Sequence, residues 1–212
     1  MSVHLSPEQI EAESFRIIEE ELGPHRWSAN EWPIVRRAIH TSADFEYART
    51  MQISGGAIQS GIEALRSGCG IVTDTTMIIS GINKQRLAQF GAPVSCFVAD
   101  PEVAAQAKEL QVTRSILAMR KGAGDAKNGI FVIGNAPTAL FELIRLIRAK
   151  EVAPKLIVGL PVGFVGAAES KGALRELGRE YPELPFITNV GRKGGSNVAA
   201  AVMNAILIQA AG

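Results

Sequence analysis

The sequence predicts an α/β fold: an open, mostly parallel sheet of about five strands with helices on both faces, plus an N-terminal helical extension. Three observations carry this. Short β-rich apolar runs recur from residue 69 onward, at 69–74, 94–100, 129–135, 155–161 and 184–191. Each run is apolar at successive positions, as a strand covered on both faces must be. Helical patterns separate them, which is how parallel strands are joined. No linker or composition shift interrupts the chain. It reads as one domain over 1–212, with a helical part over 1–67 and a sheet core over 68–212.

The elements follow in order. Ser6-Pro7-Glu8-Gln9 is a helix start: a serine N-cap, a proline in the first turn and a glutamine three residues after the serine. This helix runs to about Glu21 and stops near Gly23-Pro24, with Ile10, Ile17, Ile18 and Leu22 as its expected apolar face. Ser14 shares that face. Its hydroxyl either bonds back to a carbonyl of its own helix or points into a site. A second helix starts near Pro33, turns Ile34, Val35, Ala38 and Ile39 inward, and brings His40 to its end. A third spans about 56–66. Thr75-Thr76-Met77-Ile78 extends the first strand or forms a loop. Crossover helices are expected over about 101–119, 137–150, 166–179 and 195–211.

The 212 residues carry a formal net charge of +1 and no block of lysine and arginine. Nucleic-acid and membrane-surface binding draw on clustered positive charge, so neither is expected. Cys69 and Cys96 lie in apolar runs and read as buried thiols of a reducing compartment. The opening residues form an acidic amphipathic pattern unlike a signal peptide. The longest apolar run, near Val198–Ala211, is broken by Asn204 and Gln209. The expected location is cytoplasmic.

In an open α/β sheet, ligands bind beyond the carboxyl ends of the strands. Here those ends are Asp74-Thr75-Thr76, Gly134–Thr138, Gly159-Leu160-Pro161 and Asn189–Ser196. The last contains GRKGGSN (191–197), a glycine-rich turn opening a helix, which suits an anion or simply a tight turn. Its order of glycines and lysine is not that of a phosphate-binding P-loop, and no G-x-G-x-x-G follows a strand, so no nucleotide site is supported. His4, His25 and His40 have no metal-ligand spacing, and no C-x-x-C or H-E-x-x-H occurs. No G-x-S-x-G elbow supports a serine nucleophile.

That leaves His40, in RRAIHTSADFEYAR. A histidine exchanges protons near neutrality. Arg36 and Arg37 precede it by one turn and Asp44 follows by one, so the first two would depress its pKa and the third raise it or orient the ring. A histidine at a helix C-terminus is equally well explained as a cap. The residues alone leave these readings level.

The stretch RRAIHTSADFEYA resembles the histidine motif of the precorrin-8X methylmutase family of corrin biosynthesis, which also includes the cobalt-precorrin-8 enzymes. Further segments match in order: IEAESFRIIEEELG, TDTTMIISGINK, TRSILAMRKG, GIFVIGNAPTALFEL, LPVGFVGAAESKGAL and PFITNVGRKGGSNVAAAVMNA. Together they cover nearly the whole chain. The resemblance implies an α/β homodimer that moves a methyl group from C-11 to C-12 of a tetrapyrrole by a 1,5-sigmatropic shift, giving hydrogenobyrinate or cobyrinate. It implies no cofactor, with cobalt present only if the substrate carries it. It also implies that His40 is the proton donor and acceptor and that Ser14 contacts substrate. Such a substrate bears many carboxylates on an apolar ring and calls for scattered cations and a roomy pocket. Lys84, Arg114, Arg120, Arg192 and Lys193 are the candidate partners, each alternatively a solvated surface charge. A non-catalytic corrinoid carrier is the competing expectation.

Overall fold

A computed structural model describes residues 6–212. In chain order the elements are α1 (Pro7–Leu22), α2 (Trp32–Ser42), α3 (Tyr47–Thr50), β1 (Met51–Ile53), α4 (Ala57–Arg66), β2 (Gly70–Thr73), α5 (Thr76–Gly81), α6 (Lys84–Ala88) and β3 (Val94–Ser95). There follow α7 (Pro101–Glu109), α8 (Arg114–Ala123), β4 (Asn128–Ile133), α9 (Pro137–Arg148), β5 (Leu156–Gly159), α10 (Ala167–Glu180), β6 (Phe186–Asn189) and α11 (Ser196–Ala211).

The six strands form one sheet in the order β1-β6-β5-β4-β2-β3. All neighbours are parallel except β1, which pairs antiparallel with β6, Met51 opposite Asn189. The expectation of about five strands, with a purely helical part before residue 68, therefore misses β1. Met51-Gln52-Ile53 is too short to show a two-residue alternation.

The parallel strands alternate between two cores, as successive side chains of a strand must. Ile71, Ile130, Val132, Leu156, Val158 and Ile187 face α2, α4 and α11. Val72, Phe131, Ile133, Ile157 and Phe186 face α9 and α10. Because both faces are covered, the strands read as continuous apolar runs.

Ser6 and Gln9 form the capping box expected of them, the Gln9 amide receiving Ser6 N–H at 2.8 Å and Ser6 Oγ receiving Gln9 N–H at 3.3 Å. The inward face of α1 differs from expectation. Ile18 is buried, but Ile10 and Ile17 are 54% and 40% exposed. The stripe facing α2 is instead Glu11, Phe15 and Ile18, at i, i+4 and i+7, with Glu11 bonding Arg37 and Phe15 meeting His40. An aromatic ring held by partners on α2 decides the rotation of the helix over two isoleucines. Thr75 to Ile78 is not strand: Thr75 caps α5, its hydroxyl accepting Met77 N–H at 3.3 Å.

Helices α2 and α11 lie antiparallel. Gln209, near the end of α11, donates to the Asn30 carbonyl before α2 begins. His40, near the end of α2, shares a cavity with Asn197 in the first turn of α11. Since α11 starts where β6 ends, His40 stands at the carboxyl end of the sheet, where ligands of such folds bind.

Candidate active site

A cavity of about 340 Å³ opens beside His40. Its walls come from three elements. Helix α2 supplies Arg37, His40 and Thr41, α5 supplies Gly81, and α11 supplies Asn197, Ala200, Ala201 and Asn204. The α11 residues fall at i, i+3, i+4 and i+7, one stripe of a helix. Small alanines on that stripe leave room for a ligand against the helix. A larger hollow of about 510 Å³, between 147–154 and 181–185, lies at the opposite, amino ends of β5 and β6.

The His40 ring meets Phe15 edge-on, with centroids 5.2 Å apart and planes at 82°. The charged neighbours expected to tune it are engaged elsewhere. Arg36 stacks on Phe15 at 4.0 Å and pairs with Glu19. Arg37 pairs with Glu11 at 2.5 Å. Asp44 accepts from Glu46 N–H at 2.9 Å and from Lys193 Nζ at 2.5 Å. Lys193 holds the Asp44 carboxyl below its usual range, and Asp44 with Glu46 raises the Lys193 ammonium. No hydrogen bond among the described residues occupies the ring nitrogens of His40. It stands in the last turn of α2, which ends on left-handed Ala43, and makes no hydrogen bond to the helix-end carbonyls.

Behind the cavity, at the same end of the sheet, Asp74 follows β2. Its buried carboxylate accepts the backbone N–H groups of Gly134, Asn135 and Ala136 at 3.0, 2.8 and 2.6 Å. Burial holds this carboxyl above its usual range, and the three N–H groups offset only part of that rise. The grip binds the end of β2 to the loop after β4, the point where the strand order reverses. Gly134 then touches the start of α11, since a Cβ there would stand 2.8 Å from Ser196 Cα. A Cβ at Gly194 would run into the Leu160 and Pro161 carbonyls, so this glycine lets the loops after β5 and β6 close on each other.

The cationic candidates separate. Asn204 receives Asn83 N–H and donates to the Gly81 carbonyl, both at 2.8 Å, which brings the start of α6 and exposed Lys84 to the rim. Arg192 lies 5.6 Å from the exposed Phe164 ring. Arg114 opens α8, and neighbouring Thr113 bonds Thr138 at the start of α9, on the other side of the sheet's carboxyl end. Among the described residues, none of these three has a carboxylate partner. Arg120 instead pairs with buried Glu142 at 2.7 Å, and Lys193 with Asp44 and Glu46. Ser14 bonds back to the Ile10 carbonyl at 2.8 Å, so its hydroxyl is satisfied within α1. His4 lies outside the described residues. Among the described residues, no three His, Cys, Asp or Glu side chains cluster to hold a metal, and no helix is long and apolar enough to cross a membrane.

Phe15 and Lys171 were not singled out by residue type or spacing, and Asp74, Asn197 and Asn204 were named only as parts of a strand end, a glycine-rich turn and an apolar run. One signal was available for Asn204: a polar residue breaking an apolar helix.

Comparison with known proteins places the chain in a family. The model of the family described as Precorrin-8X methylmutase matches residues 9–209. The chain belongs to the precorrin-8X methylmutase family. Cobalt-precorrin-8 methylmutase of Priestia megaterium is 53% identical over 206 residues, 97% of this chain and 89% of its own length. Precorrin-8X methylmutase of Sinorhizobium sp is 38% identical over 193 residues, 91% and 90% of the two chains. The crystal structure of the precorrin-8x methyl mutase of Thermus thermophilus superposes with a TM-score of 0.85 at 43% identity, covering 96% of each chain. Membership of this methylmutase family makes the protein an isomerase.

Proposed function

We propose that this methylmutase moves a methyl group from C-11 to C-12 of precorrin-8X or its cobalt form in cobalamin biosynthesis, with His40 as the proton donor. One observation carries the residue assignment. His40 is the one imidazole lining the cavity, and the neighbouring charges, engaged elsewhere, leave its ring nitrogens without a hydrogen bond among the described residues. The cobalt form is favoured because relatives named for it reach 53%, 47% and 45% identity, against 43%, 39% and 38% for those named for precorrin-8X. Cobalt then travels with the substrate, and the protein needs no cofactor of its own.

The shift is intramolecular. The methyl–C-11 bond breaks as the methyl–C-12 bond forms, and no atom leaves. A proton donated to a ring nitrogen polarises the conjugated system and returns to His40 afterwards. General acid help of this kind is worth about 10²–10⁴-fold. A cavity of about 340 Å³ holds only part of a tetrapyrrole, so the ring extends over the rim, where Lys84 and Arg192 meet its carboxylates. Ser14 and Arg114 are further contacts in this reading, reached by a ligand larger than the cavity. We also read the protein as a cytoplasmic homodimer, with exposed Ile10 and Ile17 as apolar surface for a second copy to cover.

The test is His40→Ala with the unrearranged macrocycle, followed by its visible spectrum. The variant should bind substrate and convert it at least about a hundredfold more slowly. Conversion at the wild-type rate removes His40 from the chemistry. Binding without conversion by the unaltered protein would make it a carrier.

A further inference from the structure

Lys171, on α10, is 0% exposed. No carboxylate accompanies it. Its ammonium donates to the Asn189 side-chain oxygen at 3.0 Å and to the Lys193 carbonyl. Asn189 in turn donates to that same carbonyl at 2.9 Å. Burial without a counter-charge pushes the ammonium down to about 8. A charge so placed is costly, and a chain under no other demand would put an apolar residue there.

The two bonds lead towards His40. The Lys193 carbonyl is held from inside the molecule, while the Lys193 ammonium reaches outward to Asp44 at 2.5 Å and Glu46 at 2.7 Å. Those two carboxylates sit on the segment that leaves α2 just after His40. Four residues beyond Lys193, Asn197 lines the cavity opposite His40. One loop, 189–195, therefore joins both walls.

We infer that Lys171 is a positioning residue for the methyl shift: it fixes the 189–195 loop to α10, and that loop, through Lys193, fixes the end of the helix carrying His40. The inference rests on the reading of His40 as proton donor. A proton must be delivered to one nitrogen of a large ring, and misplacement by about 1 Å can cost 10²-fold.

The test uses the full-length protein and the rearrangement of cobalt-precorrin-8, read by its visible spectrum. Lys171→Met should lower kcat about tenfold. Its melting temperature should stay within a few degrees, because removing an uncompensated buried charge offsets the lost hydrogen bonds. The exposed end is cut separately by Asp44→Ala with Glu46→Ala, which leaves the core intact and decides the matter if Lys171→Met does not fold. This pair should show the same loss. Adding Lys171→Met should lower kcat by less than a further twofold, since residues of one chain of contacts are not additive. Wild-type kcat in the Asp44/Glu46 variant, losses that multiply, or a Lys171→Met defect that recovers fully once the protein is cooled below its melting range would overturn the inference. His40→Asn separates the two ideas. If it turns over at the wild-type rate, the reading of His40 falls and the inference with it. If it is inactive while the Asp44/Glu46 variant is normal, the inference alone falls.

Discussion

The His40 ring meets Phe15 edge-on at 5.2 Å, and Arg36 covers the Phe15 face at 4.0 Å. One phenyl ring on α1 thus sets the orientation of a histidine on α2. Phe15→Leu keeps apolar bulk but loses the edge contact and the cation–π stacking, each worth about 0.5–1.5 kcal/mol. We expect kcat to fall several-fold with a small change in melting temperature. Unchanged kcat in this variant would show that α2 alone orients the ring.

Asp74 gathers three backbone N–H groups of the loop after β4. Asp74→Ala leaves three donors, those of Gly134 and Ala136 buried, without an acceptor, at about 1–3 kcal/mol for each buried loss. Urea unfolding should show a stability decrease of at least about 3 kcal/mol. A loss below about 1 kcal/mol would mean that water replaces the carboxylate fully.

The candidate carboxylate partners divide by what they touch. Lys84→Ala and Arg192→Ala should each raise KM about tenfold or more, since a charge-assisted hydrogen bond contributes roughly 1.5–3 kcal/mol. Arg120→Ala should leave KM alone and lower stability, because it strips a partner from buried Glu142. Steady-state kinetics on the three variants would reverse this assignment if Arg120 moved KM and the others did not.

Lys171 makes stability depend on pH with a definite sign. Its ammonium titrates near 8 when folded and near 10.5 when unfolded. Between those values the unfolded chain binds more protons, so stability rises with pH there and is flat with respect to this group below 8. The full effect is about 3 kcal/mol. The stability gap between wild type and Lys171→Met should therefore shift in favour of wild type from pH 7.5 to 10, measured by urea midpoints. A gap that does not move with pH would show that Lys171 stays protonated in the fold.

Much of the architecture was legible in the residues. Apolar runs at 129–135 and 155–161 had to be strands covered on both faces, because only a doubly covered strand can be apolar at every position. The capping box at Ser6 and Gln9 is local chemistry between neighbours, so its residues announce it. His40 stood out by type, and the resemblance of its flanking segment to the family's histidine motif supplied the role proposed for it. Strand β1 could not be read. Its three residues carry no period, and its partner β6 lies far along the chain.

Which residues face His40 was decided by tertiary structure alone. Asp44, one turn away in sequence, is held by Lys193, which lies 149 positions on. Arg36 and Arg37 are met by Glu19 and Glu11 of another helix. Sequence spacing fixes a neighbour only while the helix continues, and α2 ends at Ser42. Lys171 lies on a helix with charged residues on its other positions, and the fold closes over it. Composition and periodicity determine which segments must be buried. Only the packed chain determines which charges find a partner and which ring is left without one.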